Sequence, residues 1–172
     1  MKIFIGGTKS IEVLAPKAKS ILIQISGKGY SVLVGDCYGV DASVQKFYSD
    51  VQYDDVTVYA NNGYARNNIG EWKVKSVIVP QNIRGAEYYR QKDIAMAIEA
   101  DYGFMIWDGQ SKGTLNNIVA LVSRNKKVLV YLSINNTVFY IQNDRDLYEL
   151  INRCPYSTQS LYMLKFQERQ NN

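Results

Sequence analysis

The chain has 172 residues, of which 47% are hydrophobic and 21% are charged, as expected for one globular domain with a sizeable core. Its net charge of +4 comes from Lys and Arg residues that are scattered without a run of five or more, which argues against a nucleic-acid partner. Because the chain has no histidine and its cysteines, Cys37 and Cys154, lie far apart, histidine-based catalysis and common metal motifs are excluded, and we predict neither a metal nor a cofactor.

The chain begins with a short apolar segment at residues 2–5, which is typical of a strand. This segment lacks the apolar region and cleavage site of a signal peptide. No apolar run approaches the roughly 18 residues that a membrane-spanning helix needs. We therefore predict a cytoplasmic protein that does not contact a membrane.

Strand-like and helix-like patterns then alternate along the sequence. Strands are predicted at residues 2–5, 31–34, 56–59, 102–107, 128–132 and 138–141. Helices are predicted from about residue 15 to Gly27 or Gly29, and at 44–51, 86–100, 115–122 and 147–151. The first helix begins near Ala15 because Pro16 fits only the first turn of a helix.

Two segments break this alternation. Residues 61–84 are polar and rich in Asn and Gly, with one strand-like patch at 74–79, so we expect a long loop that is either functional or a decorative insertion. Asn135 and Asn136 form a turn, after which residues 138–141 return as an antiparallel edge strand. We therefore expect one domain over residues 1–155 and a C-terminal tail over residues 156–172, docked on the domain or on a second subunit.

The alternation of strands and helices predicts a three-layer, doubly wound, Rossmann-like α/β fold with a mostly parallel sheet and an antiparallel edge hairpin. Such sheets bind ligands at the carboxyl ends of their strands. Three glycine-bearing loops fall at such ends, and we expect them to form one crevice: loop 1 (residues 6–10), loop 2 (residues 35–41) and loop 3 (residues 108–114).

Loop 3 is the best candidate for a phosphate site. A buried strand at 102–107 runs into Asp108 and Gly109, and Ser111, Gly113 and Thr114 then lead into a helix. The free N–H groups and the positive dipole end of a helix start favour an anion. Ser111 or Thr114 could equally serve only as the cap of that helix, and the two roles are compatible.

The three loops resemble those of the SLOG superfamily, which includes DNA-processing protein A and the LONELY GUY phosphoribohydrolases. Loop 2, GDCYGVD, resembles the superfamily's G-x-x-x-G-[IVA]-D segment, and loop 1, GGTKS, stands where the superfamily has its first glycine and serine loop. Lys92 and Met96 resemble the Arg-Lys…Met element of LONELY GUY proteins, and loop 3 resembles their P-G-G-x-G-T turn. The resemblance covers about residues 1–132 and implies a Rossmann-like nucleotide-binding domain, with a homodimer as a further expectation.

The sequence departs from the enzymes of that superfamily at one position that matters for chemistry. LONELY GUY proteins continue G-T-x-x-E, whereas this chain has Asn117 at the position of the glutamate. An amide cannot act as a carboxylate nucleophile or stabilise a cation by charge. The function predicted is therefore the binding, for sensing or sequestering, of a nucleotide-derived small molecule through phosphate-cradling loops.

An enzyme remains the alternative, namely a nucleoside or nucleotide N-glycosidic hydrolase or transferase in which Asp36, Asp41 or Asp108 supplies the missing carboxylate. Otherwise Asp36 and Asp108 are candidates for ribose hydroxyls, and Asp41 for a helix cap. Lys9 and Lys112 are either phosphate-screening cations or solvated lysines, and no catalytic residue is assigned. The candidate ligand-binding residues are Gly6, Gly7, Thr8, Lys9, Ser10, Gly35, Asp36, Asp41, Lys92, Asp108, Gly109, Ser111, Gly113, Thr114 and Asn117.

Overall fold

The computed structural model describes residues 1–170, with side chains through Leu164. Within that range the strands are β1 Lys2–Gly7, β2 Ser31–Gly35, β3 Val56–Asn61, β4 Lys73–Val77, β5 Tyr102–Trp107, β6 Lys127–Leu132 and β7 Thr137–Ile141. The helices are α1 Pro16–Gly27, α2 Val40–Asp50, α3 Gly85–Glu99, α4 Lys112–Val122, α5 Asp144–Ile151 and α6 Tyr156–Gln170. Residues 171 and 172 of the predicted tail lie outside the described residues.

The described strands form one seven-stranded sheet in the order β4-β3-β2-β1-β5-β6-β7. Strands β1 to β6 are parallel, and β7 pairs antiparallel with β6 through the turn at Asn135 and Asn136. The order reverses between β1 and β5, where Ile3 pairs with Tyr102 and Gly7 with Ile106. The predicted Rossmann-like α/β fold with an antiparallel edge hairpin is confirmed.

Apolar side chains fill both faces of the sheet, as expected for parallel strands covered by helices on either side. One core contains Leu22 of α1 and Tyr48 of α2 against the sheet. The other contains Met96 of α3, Leu115 of α4 and Leu147 of α5. Among the described residues, no helix has both the length and the apolar character needed to cross a membrane.

Two segments contain more regular structure than the sequence predicted. The segment 61–84, expected to be a long loop, contains β4, which pairs parallel with β3 at the sheet edge. Its polar and charged sequence, KVKSV, suits an exposed edge strand better than the apolar pattern of a central one. The tail contains α6, and the hydroxyl of Thr158 on this helix donates to the carbonyl of Gly109 at 2.6 Å, so α6 braces loop 3.

Candidate functional site

Thr8 joins all three glycine loops at the carboxyl edge of the sheet. Its N–H donates to the carbonyl of Ile106 at the end of β5 (3.0 Å), and its carbonyl accepts from Val40 N–H at the start of α2 (3.2 Å). Its hydroxyl donates to Asp108 Oδ1 at 3.1 Å and accepts from Asp108 N–H at 3.2 Å. Thr8 is 3% exposed, so it serves as the buried junction of loops 1, 2 and 3.

Two glycines are required by the close approach of these loops. A Cβ on Gly7 would overlap the carbonyl of Ile106, and a Cβ on Gly39 would overlap the carbonyl of Lys9. Gly39 also has a φ of +72°, which L side chains rarely adopt. These glycines therefore assemble the edge of the sheet.

A buried ionic cluster lies beneath loops 1 and 2. The ammonium of Lys92 on α3 lies 2.7 Å from Asp93 Oδ1 and 3.8 Å from both Asp36 Oδ1 and Asp41 Oδ2, with its side chain 5% exposed. A Cβ on Gly35 would overlap both Asp41 and Lys92, and one on Gly6 would lie 3.7 Å from Asp41. Lys92, predicted as a ligand contact, is thus enclosed by the carboxylates of Asp36, Asp41 and Asp93.

Burial sets the protonation of this cluster. It raises the pKa of the Asp41 carboxyl to about 6, although the charge of Lys92 acts in the opposite direction. For Lys92, burial acts to lower the pKa, but the charges of Asp93 and Asp41 outweigh it and raise the pKa, so the ammonium stays charged. The cluster is therefore a buried cation whose neighbouring carboxyl can take up a proton in mildly acidic solution.

Asp36 is paired with the loop that follows β3. Arg66 donates from Nη2 to Asp36 Oδ1 (2.7 Å), and from both Nε (3.0 Å) and its backbone N–H (3.1 Å) to Asp36 Oδ2. Burial acts to raise the pKa of the Asp36 carboxyl, but the hydrogen bonds from Arg66 and the charge of Lys92 hold this pKa below its ordinary value. Asn67 Nδ2 donates to the Asp36 carbonyl at 2.9 Å, so this pairing fixes the loop as well as the charge.

Asp108 shapes loop 3 from within. Its Oδ1 accepts from the backbone N–H groups of Gln110 (2.9 Å) and Ser111 (2.7 Å), in addition to the Thr8 hydroxyl. Ser111 then caps α4, since its Oγ accepts from Thr114 N–H at 3.5 Å and from Thr114 Oγ1 at 3.2 Å. The amides of Gln110 and Ser111 are already paired, so a ligand at loop 3 would meet the next N–H groups along the chain.

The first turn of α4 leaves free space around its glycine, whereas the glycines of loops 1 and 2 face other protein atoms. A Cβ on Gly113 would have only Ser111 Oγ near it, at 4.0 Å. Within the described residues, the N–H groups of Lys112 and Gly113 have no hydrogen-bond partner, as is usual for the first turn of a helix. Asn117 lies one turn further on, is only 9% exposed, and makes no hydrogen bond through its side chain to any described residue.

The predicted ligand-binding residues therefore fall into three groups, which differ in what surrounds each residue. Gly6, Gly7, Gly35, Asp36, Asp41, Lys92 and Asp108 contact other parts of the protein, and Gly109 is held by Thr158. Ser111 and Thr114 form the cap and lie beside the open turn. Lys9, Ser10 and Lys112 are exposed at the same edge and can approach an anion there.

A cavity of about 180 Å³ lies beside this site, between the ends of β2 and β3 and the start of α3, and four of its lining residues, Asn61, Tyr64, Tyr88 and Tyr89, were not singled out from the sequence. We call it the tyrosine cavity; its lining residues are Asp36, Asn61, Tyr64, Arg66, Tyr88 and Tyr89. Asn61 ends the apolar strand VTVYAN, and this polar ending, together with the Tyr88-Tyr89 pair at a helix start, was the available signal.

Comparison with known proteins supports the fold. No family model and no curated protein matches the sequence. Among solved structures, the chain is similar to DNA processing protein A from Helicobacter pylori, which was described for its unique single-stranded DNA binding mode. The TM-score is 0.62 at 13% sequence identity, over 98% of this chain and 81% of that chain. The chain therefore has the Rossmann-like fold of DNA processing protein A, as the resemblance to the SLOG superfamily implied.

The argument against a nucleic-acid partner is wrong. It rested on the absence of a basic run in the sequence, yet the Helicobacter pylori protein of the same fold binds single-stranded DNA. The physical reason is that a fold collects cations from distant segments. Lys9 follows β1 and Lys112 follows β5, and both reach the same edge of the sheet, so runs along the sequence do not measure how cations cluster in space.

Proposed function

We propose that the protein binds a nucleotide-derived small molecule at the carboxyl edge of its sheet, and thereby senses or sequesters it. The phosphate lies at the first turn of α4. The observation that carries this proposal is the open space at Gly113. A glycine inside a helix is less favourable than an alanine, and no neighbouring group of the protein requires one at this position.

The surroundings of Gly113 suit a phosphate. The unpaired N–H groups of Lys112 and Gly113 point along the helix axis, and the helix dipole adds a partial positive charge. The exposed side chains of Lys9 and Lys112 supply full charges at the same edge. The side-chain amide of Asn117 is unpaired and can both donate a hydrogen bond to a sugar hydroxyl and accept one from it. An ionised glutamate at this position could only accept one.

The carboxylates at this edge favour binding over turnover. Asp36 is held by Arg66, Asp41 is buried beside Lys92, and Asp108 accepts three hydrogen bonds through one oxygen. Each of them is committed to holding the loops. A general base must have a free lone pair within reach of its proton. Arg66 occupies both oxygens of Asp36 and Asp41 is buried, whereas among the described residues Asp108 keeps the lone pairs of Oδ2. Asp36 and Asp41 therefore support a binding site, and Asp108 is the carboxylate that the N-glycosidic alternative would use.

Single-stranded DNA is the second candidate ligand, and the likeness to DNA processing protein A favours it. Tyr38, Tyr64 and Tyr89 are 59%, 81% and 50% exposed near the carboxyl edge. Exposed aromatic rings beside cations are the usual stacking platform for bases of a single strand. Under this candidate the same first turn of α4 holds a backbone phosphate.

The test measures melting temperature against a panel of nucleoside mono-, di- and cyclic monophosphates. We expect the melting temperature to rise with ligand concentration in the wild type, because a ligand that binds only the folded state stabilises it. Gly113→Asp puts a negatively charged carboxylate at the proposed phosphate position, so the ligand should no longer raise the melting temperature. Gly27→Asp adds the same charge at the end of α1, which also faces open space, and the ligand should still raise the melting temperature of this control.

A fluorescently labelled oligodeoxynucleotide separates the two candidates. Binding to DNA predicts an affinity that falls steeply between about 50 and 200 mM salt and that Gly113→Asp weakens. Displacement of the oligonucleotide by a mononucleotide would identify one shared site. A panel that leaves the melting temperature unchanged contradicts the small-molecule proposal, and an oligonucleotide that binds Gly113→Asp as tightly as wild type contradicts the DNA candidate.

A further inference from the structure

We propose that the tyrosine cavity binds the planar ring of a nucleobase that carries an amino or ring N–H donor. The ring belongs either to a free nucleotide or to a single strand of DNA. This inference rests on the proposed function and adds the base-recognition part of the same site.

The unpaired side chain of Asn61 points to such a donor. Asn61 is 5% exposed, and its Nδ2 donates to the carbonyl of Tyr88 at 2.5 Å, which fixes the orientation of the amide. Its Oδ1 is buried without a hydrogen-bond partner among the described residues. Buried polar atoms are nearly always paired, so this unpaired acceptor, on a residue that lines the cavity, points to a donor that a ligand supplies when neighbouring side chains move to admit it.

The size and walls of the cavity suit one ring. Its volume of about 180 Å³ lies below the roughly 300–1,000 Å³ of sites that enclose drug-sized ligands. Tyr88 and Tyr89 stand nearly perpendicular, with their ring centroids 5.3 Å apart and an angle of 86° between the planes. Tyr64 is 81% exposed and is free to fold over a bound ring.

The charges of the cavity favour a neutral ring over a phosphate. The guanidinium of Arg66 is neutralised by two hydrogen bonds to Asp36 and lies 4.8 Å from the centre of the Tyr89 ring. A second anion would compete with Asp36 for this cation. The phosphate is therefore better placed at α4, where the N–H groups are unpaired.

The strand order sets the distance between the tyrosine cavity and the start of α4. Strand order places the ends of β2 and β3 two to three positions from β5, which corresponds to roughly 10–15 Å at the usual strand spacing. A sugar with one or two phosphates spans such a gap. The cavity and the start of α4 can thus hold the two ends of one ligand.

The test compares two ligands that differ only in the donor. Adenosine monophosphate carries an amino group that purine riboside monophosphate lacks, so titration calorimetry on the full chain isolates this group. We expect adenosine monophosphate to bind about tenfold more tightly or better, because the analogue leaves Asn61 Oδ1 unpaired. Adenosine diphosphate and its amino-free analogue repeat the comparison with a longer linker.

A variant assigns the preference to Asn61. In Asn61→Ala the two ligands should bind with equal affinity, whereas Asn135→Ala, an exposed asparagine in the β6–β7 turn, should keep the wild-type ratio. A general loss of stability in Asn61→Ala would weaken both ligands alike and leave the ratio unchanged. Equal affinities in the wild type overturn the inference for a free nucleotide, whatever the variant does, and leave only the DNA source to be tested.

Ribose 5-phosphate separates the failure of this inference from the failure of the proposed function. If it binds as tightly as adenosine monophosphate, the phosphate site stands and the ring subsite is wrong. If neither ligand nor any nucleoside binds, the small-molecule proposal is wrong, and the ring subsite is wrong as well unless an oligonucleotide shows a preference for adenine. Oligodeoxynucleotides with one adenine replaced by purine test the other source of the ring, and a preference for adenine only in the oligonucleotide assigns the cavity to DNA.

Discussion

The two sides of the carboxyl edge carry the same kind of sequence signal but differ in what lies opposite their glycines. On the closed side, formed by Gly7, Gly35 and Gly39, the space that a side chain would need is filled by carbonyl groups and by the Asp41–Lys92 pair. On the open side, formed by Gly113 and the first turn of α4, that space is empty. The closed side therefore assembles the loops, and the open side is available to a ligand.

The difference shows that a glycine-rich loop has two physical explanations. Glycine permits close approach of backbone, whether the approaching group is another loop or a ligand. On the closed side the approaching group is part of the protein, so a substitution there acts on folding. On the open side a substitution acts on binding. Stability and affinity measured together distinguish the two sides.

The largest expected effect is on the closed side, at Lys92. Lys92→Met removes the cation from a cluster that contains Asp36, Asp41 and Asp93, and leaves buried carboxylates without their partner. Breaking a buried pair in this way costs about 3–5 kcal/mol, so we expect a loss of that size in the free energy of unfolding in urea.

Two controls sharpen this prediction. Lys46→Met removes a lysine whose pair with Asp50 is exposed, and should cost less than about 1 kcal/mol. Adding Asp41→Asn to Lys92→Met should recover part of the loss, because one buried charge is then removed. A Lys92→Met variant as stable as Lys46→Met would mean that the cluster is not buried as described.

The next effect is the pH dependence that Asp41 confers on the closed side. Burial raises the pKa of its carboxyl from 3.8 to about 6 in the folded state, against the charge of Lys92. The folded state thus binds this proton more tightly than the unfolded chain. The stability it contributes is complete below about pH 4 and is lost as the pH rises through 6, by on the order of 3 kcal/mol.

The measurement compares wild type with Asp41→Asn in urea from pH 4 to pH 7. The variant should gain stability relative to wild type as the pH rises. Glu99, whose pKa is lowered by its hydrogen bonds to Lys2 and Lys75, changes both proteins alike and cancels in the difference. Asp36 interacts with Asp41 by charge, but its pKa is held below the ordinary value of 3.8, so it titrates below the measured range. A difference that stays constant across this range would place the Asp41 pKa at its ordinary value.

The fold was predictable from the sequence because its signals are local and repeated. Strands such as FMIW in β5 and the helical spacing after Gly113 define their elements without knowledge of neighbours. Strand β4 was recognised only as a strand-like patch, since an exposed edge strand with two lysines has neither an apolar run nor a clear alternation. Its assignment depends on pairing with β3.

The site was predictable only in part, because its chemistry depends on which residues meet in space. The positions of the three loops followed from the strand order, but nothing in the sequence separates Gly35, which faces Lys92, from Gly113, which faces open space. Asn61 and Tyr88 lie far apart in the sequence and become neighbours only through packing of α3 on the sheet. The polar end of β3 and the Tyr88-Tyr89 pair were visible in the sequence, but that they meet in one cavity could not be predicted.

The smallest expected effect on stability is also the one that tests the open side most directly. Gly113→Ala adds a methyl group at a helical position where only Ser111 Oγ approaches, so it should raise the free energy of unfolding by about 0.4–1 kcal/mol. The same methyl group lies where the phosphate is proposed, so affinity should fall by about tenfold, equivalent to 1.4 kcal/mol.

Gly27→Ala at the end of α1, which also faces open space, should leave ligand affinity unchanged. Urea unfolding and calorimetry on the same samples give both quantities. A Gly113→Ala variant that gains stability and keeps full affinity would show that this glycine is not needed for a ligand, and the open side would lose its strongest argument.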